Sequence, residues 1–244
     1  MPRTVRRLSE HNLYHIVLKG NNSQRIFYDD SDYTTFLNTL SEICKNYNIK
    51  IVAYCLMSNH IHLMLKAEEN NIAFMFKSFG ASFVYKYNKK YDRTGGLFNG
   101  RYYSKAINDD AYFKTVIKYI HFNPVKAGIS ASVDGYKWSS FNTYNSIING
   151  VLYDKNCYVD SDYLFTIIEK NEFKILHLDS EEDLINFFII DSNISKKSDS
   201  ELMNFTNELL EKYSVEETVG ILRSLGASKA KVSKMLEIDR RKII

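Results

Sequence analysis

The chain is poor in cysteine and has no long apolar run. Its three cysteines, Cys44, Cys55 and Cys157, lie far apart and form no CxxC pair. That excludes a disulfide scaffold and a cysteine-built zinc site, and it suits reduced thiols in a cytoplasmic protein. No stretch approaches the roughly 18–20 apolar residues a membrane span needs. The opening MPRTVRRLSE is basic but leads into no apolar segment, so no secretory signal is expected. No repeat or low-complexity tract occurs. What remains is 244 residues of ordinary globular composition, 45% apolar and 25% charged, enough for one large domain or a main domain with a smaller appendage.

The net charge of +3 conceals an uneven distribution. Residues 77–126 hold ten Lys/Arg against three Asp/Glu, residues 150–200 five against eleven, and residues 220–244 seven against two. Two basic blocks around an acidic one are suited to a polyanionic partner, although solvated helix faces would give the same composition.

Periodicity divides the chain. NLYHIVLKG (12–20) alternates and ends at glycine, as a strand does. Residues 30–47 follow a helical period, with Asp30 or Ser31 as cap. IKIVAYCLM (49–57) and HIHLMLK (60–66), separated by Ser58-Asn59, read as a β-hairpin. Residues 71–91 are helical, with Gly80 close-packed or slightly kinked, and LFNGRYYSKAI (97–107) is a further strand. A helix from Asn108 to Asn123 is expected to stop at Pro124. The order predicts an α+β fold, an antiparallel sheet with packed helices. Beyond residue 150 the sequence suggests an acidic helical connector (151–200), with a capping box at Ser180 and Asp183 and a polar linker at 191–200. A small all-α region (201–244) follows.

The hairpin carries the chemistry. Side chains at i and i+2 of a strand share a face, so His60 and His62 can present two nitrogens to one ion. His-x-His is more often a pair of buried or interface histidines than a metal site. Here Ile61, Leu63 and Leu65 fix the strand while both imidazoles share the other face. One further oxygen donor with phosphate nearby would suit Mg²⁺ or Mn²⁺, whereas three histidines would favour Zn²⁺.

YCLMSNHIHLMLK resembles the HUH motif (histidine, bulky apolar residue, histidine) of single-strand DNA endonucleases, and in particular the REP-associated branch of the single-tyrosine transposases. Residues 14–37 resemble that branch's opening strand, turn and helix. GGLFNGRYYSKAI (95–107), YIHFNPVKAGI (119–129) and YKWSSFNTY (136–144) are similar to its later blocks, in order. The resemblance covers about residues 10–145 and implies an HUH-nuclease fold, ferredoxin- or RRM-like. It implies a divalent metal, Mg or Mn, held by His60, His62 and Asn123. It implies Tyr119 as the nucleophile that forms a 5′-phosphotyrosine link to single-stranded or hairpin DNA. On spacing alone Tyr85, Tyr87, Tyr91 and Tyr112 compete with Tyr119; the resemblance selects it. Tyr119 and Asn123 stand one helical turn apart on one face, whereas His121 at i+2 points away.

For DNA, a basic groove with aromatic platforms is expected from Lys86, Lys89, Lys90, Arg93, Arg101 and Lys105, with Arg101 and Lys105 foremost as phosphate contacts. Residues 214–244 resemble the helix-turn-helix tails of some relatives, with Arg240, Arg241 and Lys242 opening a recognition helix and Val232 and Leu236 facing inward. A small packing bundle is the rival reading. The expected activity is metal-dependent cleavage and strand transfer in DNA transposition or repeat mobilisation. Its rivals are a non-catalytic DNA-binding regulator on the same fold and a zinc hydrolase, the latter disfavoured for want of a third histidine. Subunit number stays open between monomer and dimer.

Overall fold

The computed structural model describes residues 8–151, 158–177, 214–224 and 229–239, with a few positions between 203 and 210. The chain divides into two compact units, residues 1–178 and 179–244.

The first unit runs β1 (Leu13–Lys19), α1 (Asp30–Asn46), β2 (Lys50–Leu56), β3 (His60–Lys66), α2 (Glu69–Lys90), β4 (Tyr103–Ile107) and α3 (Asp110–Lys126). Three short helices follow, α4 (Phe141–Ile148), α5 (Ser161–Ile167) and α6 (Lys170–Leu176). The four strands form one antiparallel sheet in the order β2-β3-β1-β4. This is the α+β architecture the periodicity predicts. β1 lies inside the sheet, and six of its seven residues are buried. Helices cover both faces, which is why these strands are nearly all apolar rather than cleanly alternating.

Helices α1 and α2 pack on one another through Phe36, whose ring lies 4.9 Å from that of Phe79 and 5.1 Å from that of Phe83. Phe76 and Phe79 line a cavity with Leu18, so α2 covers the sheet face that carries Ile16 and Leu18. Helix α3 packs on the opposite face, against β2 and β3. Its reverse side meets α6, and Asp160 at the start of α5 binds Lys50 of β2 at 2.8 Å.

Several boundaries differ from the sequence expectation. The α1 cap is Asp29, one residue earlier, because Asp29 and Asp32 form a reciprocal capping box. The start of α3, expected at Asn108 or Asp109, agrees: Asp109 caps the helix and accepts from the Tyr112 N–H at 2.7 Å. Pro124 does not end α3: the Asn123 carbonyl accepts from the Ala127 N–H at 3.0 Å, carrying the helix through Lys126. A proline near a helix end deletes a single hydrogen bond, and here the next turn forms regardless. Residues 97–102 are largely irregular; Phe98 bridges Gly20, and the strand begins only at Tyr103. A methyl group at Gly80 would meet nothing within 4 Å, so close packing does not explain that glycine.

The second unit contains α7 (Val215–Ser224) and α8 (Lys229–Leu236). Leu222, Val232 and Met235 are buried there, and Leu236, expected inside, is half-buried one position round the helix. Arg240, Arg241 and Lys242, the Ser180–Asp183 capping box and the 191–200 linker lie outside the described residues. Among the described residues, no helix is long and apolar enough to cross a membrane.

Candidate active site

The two-residue period of β3 places His60 and His62 on the sheet face that α3 covers. Their ring centroids are 5.0 Å apart and nearly perpendicular. Tyr119 of α3 meets the edge of His62 at 5.1 Å and is 1% exposed. Asn123 lies one turn further on, also buried. Its amide N–H donates to the Tyr119 carbonyl at 2.8 Å, which leaves Oδ1 as its acceptor atom. The four residues expected at the site therefore gather at one face of the sheet.

Hydrogen bonding defines the tautomer of His60. His60 Nδ1 is 2.7 Å from Oδ1 of Asn59, an atom that only accepts, so the proton sits on Nδ1 and the lone pair on Nε2. His62 Nε2 is buried with no hydrogen-bond partner among the described residues, while its Nδ1 is 3.2 Å from Nε2 of His15. Burial drives the His62 pKa well below the ordinary value, helped by the nearby His15, His60, Lys19 and Lys126. A neutral imidazole offers one ring nitrogen as a lone pair to a metal, so the donor chemistry fits a divalent cation. Among the described residues, no three His, Cys, Asp or Glu side chains are grouped to hold one. Two imidazoles and the Asn123 amide oxygen, completed by water or phosphate oxygens, are a set compatible with Mg²⁺ or Mn²⁺.

Three residues the sequence reading did not single out flank this cluster. His15 stacks on His62 at 5.4 Å and meets Tyr119 edge-on at 5.6 Å. Lys126, at i+7 from Tyr119, places its ammonium 5.8 Å from the Tyr119 ring centroid and is exposed. Lys19 pairs in register with His60 and is exposed at the end of β1. The helical spacing of Lys126 was there to be read but lay beyond the proline taken as a stop. His121 faces away, bonding His177 at 2.9 Å and Ser140 at 2.8 Å.

The basic residues expected at DNA are dispersed. Lys90 binds Asp29 and Asp32 of α1, and Lys86 donates to Thr39 of the same helix. Arg93 lies over the Tyr87 ring, and Lys89 is exposed on α2. These four sit with the helix pair on the sheet face opposite the histidines. Lys105 packs 4.6 Å from the Tyr112 ring centroid, and burial lowers its pKa. Arg101 is exposed beside Lys77 and Phe76, at a cavity of about 300 Å³.

An antiparallel sheet bearing a histidine pair beneath a buried tyrosine on a crossing helix is the arrangement that the resemblance to the single-tyrosine transposases implies. Comparison with known proteins points the same way. Residues 9–123 match the family described as "Transposase IS200 like". A protein of Haemophilus influenzae assigned to the REP-associated tyrosine transposases is 28% identical over 124 residues, covering 46% of this chain and 70% of its own. The solved structure of a REP-associated tyrosine transposase bound to a REP hairpin superposes with a TM-score of 0.52 at 15% identity. It covers 63% of this chain and 89% of that one, a likeness of fold.

Proposed function

We propose that the protein cuts and rejoins single-stranded DNA, with hairpin DNA as substrate and Tyr119 as nucleophile. The convergence of His60, His62 and Tyr119 from two separate elements, with the His62 ring 5.0 Å from that of His60 and 5.1 Å from that of Tyr119, carries this reading. The Tyr119 phenolic oxygen attacks the scissile phosphorus and loses its proton to solvent. The bond from phosphorus to the 3′ oxygen breaks, that oxygen takes up a proton, and a 5′-phosphotyrosine link remains. The link conserves phosphodiester energy, so a free 3′-OH can reverse the step on the same or another strand without ATP. Mg²⁺ or Mn²⁺ bound at His60, His62 and Asn123 would supply polarisation of the phosphate and stabilisation of the charge that develops on it. Lys126 and Lys19 offer positive charge to the strand on either side. Because Tyr119 is covered, strand entry must displace a side chain above it, and exposed Lys126 lies over its ring.

The test is a labelled hairpin oligonucleotide incubated with full-length protein and Mn²⁺ or Mg²⁺, followed by denaturing electrophoresis. A covalent protein–DNA adduct is expected, absent from Tyr119→Phe and from His62→Ala. Wild-type protein that binds the hairpin without forming an adduct would leave a DNA-binding regulator on the same fold as the correct reading. An adduct surviving Tyr119→Phe would move the nucleophile to another tyrosine, Tyr112 first.

A further inference from the structure

We infer that His15 is a positioning residue that sets the tautomer and ring plane of His62, aiming the His62 Nε2 lone pair into the site. The inference deepens the metal-site reading proposed above and rests on it for its consequence, not for its geometry.

β1 and β3 are neighbours, with Val17 opposite His62 and His15 opposite Met64. His15 and His62 are therefore diagonal partners on one sheet face, a relation within reach of ring side chains. Their planes differ by only 17°, and Nε2 of His15 lies 3.2 Å from Nδ1 of His62. Of two neutral imidazole nitrogens facing each other, one donates and the other accepts. If His62 Nδ1 is the donor, the only other ring nitrogen, Nε2, is left as a bare lone pair, and that atom has no hydrogen-bond partner among the described residues. In metal sites the second ring nitrogen of a ligating histidine nearly always donates to such an acceptor, and loss of the acceptor typically costs 10–100-fold in metal affinity. Both histidines are 0% exposed, so water is poorly placed to take over the role. Asn59 performs the same service for His60 from its own strand end. The two ligands are thus oriented by different devices, a neighbouring amide and a third histidine. The His15 ring also touches Tyr119, so one side chain braces ligand and nucleophile together.

Two measurements on the ¹⁵N-labelled full-length protein decide the matter. In the metal-free wild type, long-range ¹H–¹⁵N correlation spectra should show His62 protonated at Nδ1. A wild-type His62 protonated at Nε2 overturns the inference without any variant having to fold. In His15→Phe, which keeps bulk and stacking, His62 should gain the Nε2–H form, and Mn²⁺ affinity, measured by titration calorimetry without DNA, should fall 10–100-fold. His15→Gln, whose carbonyl oxygen can accept at similar reach, should restore affinity to within a few-fold of wild type. Unchanged tautomer and affinity in His15→Phe also overturn the inference. Wild-type protein that binds no Mn²⁺ would sink the metal reading instead, while the spectrum still decides the role of His15.

Discussion

Lys90 belongs by composition to the expected DNA-binding block, yet its geometry assigns it to stability, and the two roles separate cleanly in Lys90→Met. Its ammonium donates to both Asp29 carboxylate oxygens at 2.9 and 2.7 Å, to Ser31 at 2.7 Å and to Asp32 at 2.7 Å. The Lys90 hydrogen bond, with that of Ser31, holds the Asp29 carboxyl down at about 2. Asp32 decides the energetics because it is only 3% exposed, and a buried hydrogen bond to a charged group is worth about 1.5–3 kcal/mol. Asp32 keeps the Tyr91 hydroxyl at 2.6 Å and the Tyr28 N–H at 2.8 Å, and the Lys90 side chain is 37% exposed. Screening and these surviving partners bring the expected loss to about 1–2 kcal/mol. Urea denaturation would measure it. Hairpin binding titrated against salt supplies the second axis, because each phosphate contact contributes about 0.7–0.9 to the slope of log affinity on log salt. Lys90→Met should lower stability and leave that slope alone. Lys126→Met should do the reverse, with stability within about 0.5 kcal/mol of wild type. A Lys90→Met protein as stable as wild type but with a flattened salt slope would refute the assignment.

Two more substitutions probe the buried polar groups. The Tyr112 hydroxyl is buried without a hydrogen-bond partner among the described residues, so Tyr112→Phe should stabilise the protein by about 1 kcal/mol in the same denaturation assay. It should also leave adduct formation intact; loss of the adduct in that variant would contradict the Tyr119 assignment. Burial pushes the His177 pKa down to about 4, and His121 and His62 shift the same way. The unfolded chain takes up these protons near pH 6.5, so the associated stability is complete above that pH and is lost as pH falls toward 4. Between pH 7 and 5 His177 alone should cost about 2 kcal/mol, a loss that His177→Asn should flatten. The depressed carboxyl of Asp29 titrates lower and does not enter this window. Equal stability at pH 7 and 5 would contradict the neutral histidine chain.

Local pattern carried the elements but not their partners. β2, β3, α1 and α2 were legible because their apolar residues recur at the right periods, and the shared face of His60 and His62 follows from the strand alone. His15 was not legible. A single histidine in a buried strand has no signal of its own, and its partner is fixed only by the register of β1 on β3. Lys126 was hidden by treating Pro124 as a stop. The basic block was less legible for a different reason, since composition counts cations and cannot tell a solvated one from one already paired. The carboxylates that take up Lys90 lie about sixty residues upstream. Tyr119 stood out among eighteen tyrosines only through the family resemblance, because packing and nucleophilic tyrosines have the same local sequence character.

The place of β1 between β3 and β4 has a consequence for when, during synthesis, the proposed site can be completed. Leu13 lies opposite both Lys66 and Ile107, so the strand bearing His15 has its second neighbour only after most of the domain has been made. Tyr119 comes later still. A product cut short at α2 would own His60 and His62 but neither Tyr119 nor Asn123. The order of residues along the chain thus brings the proposed nucleophile, and Asn123 after it, only once the sheet is complete.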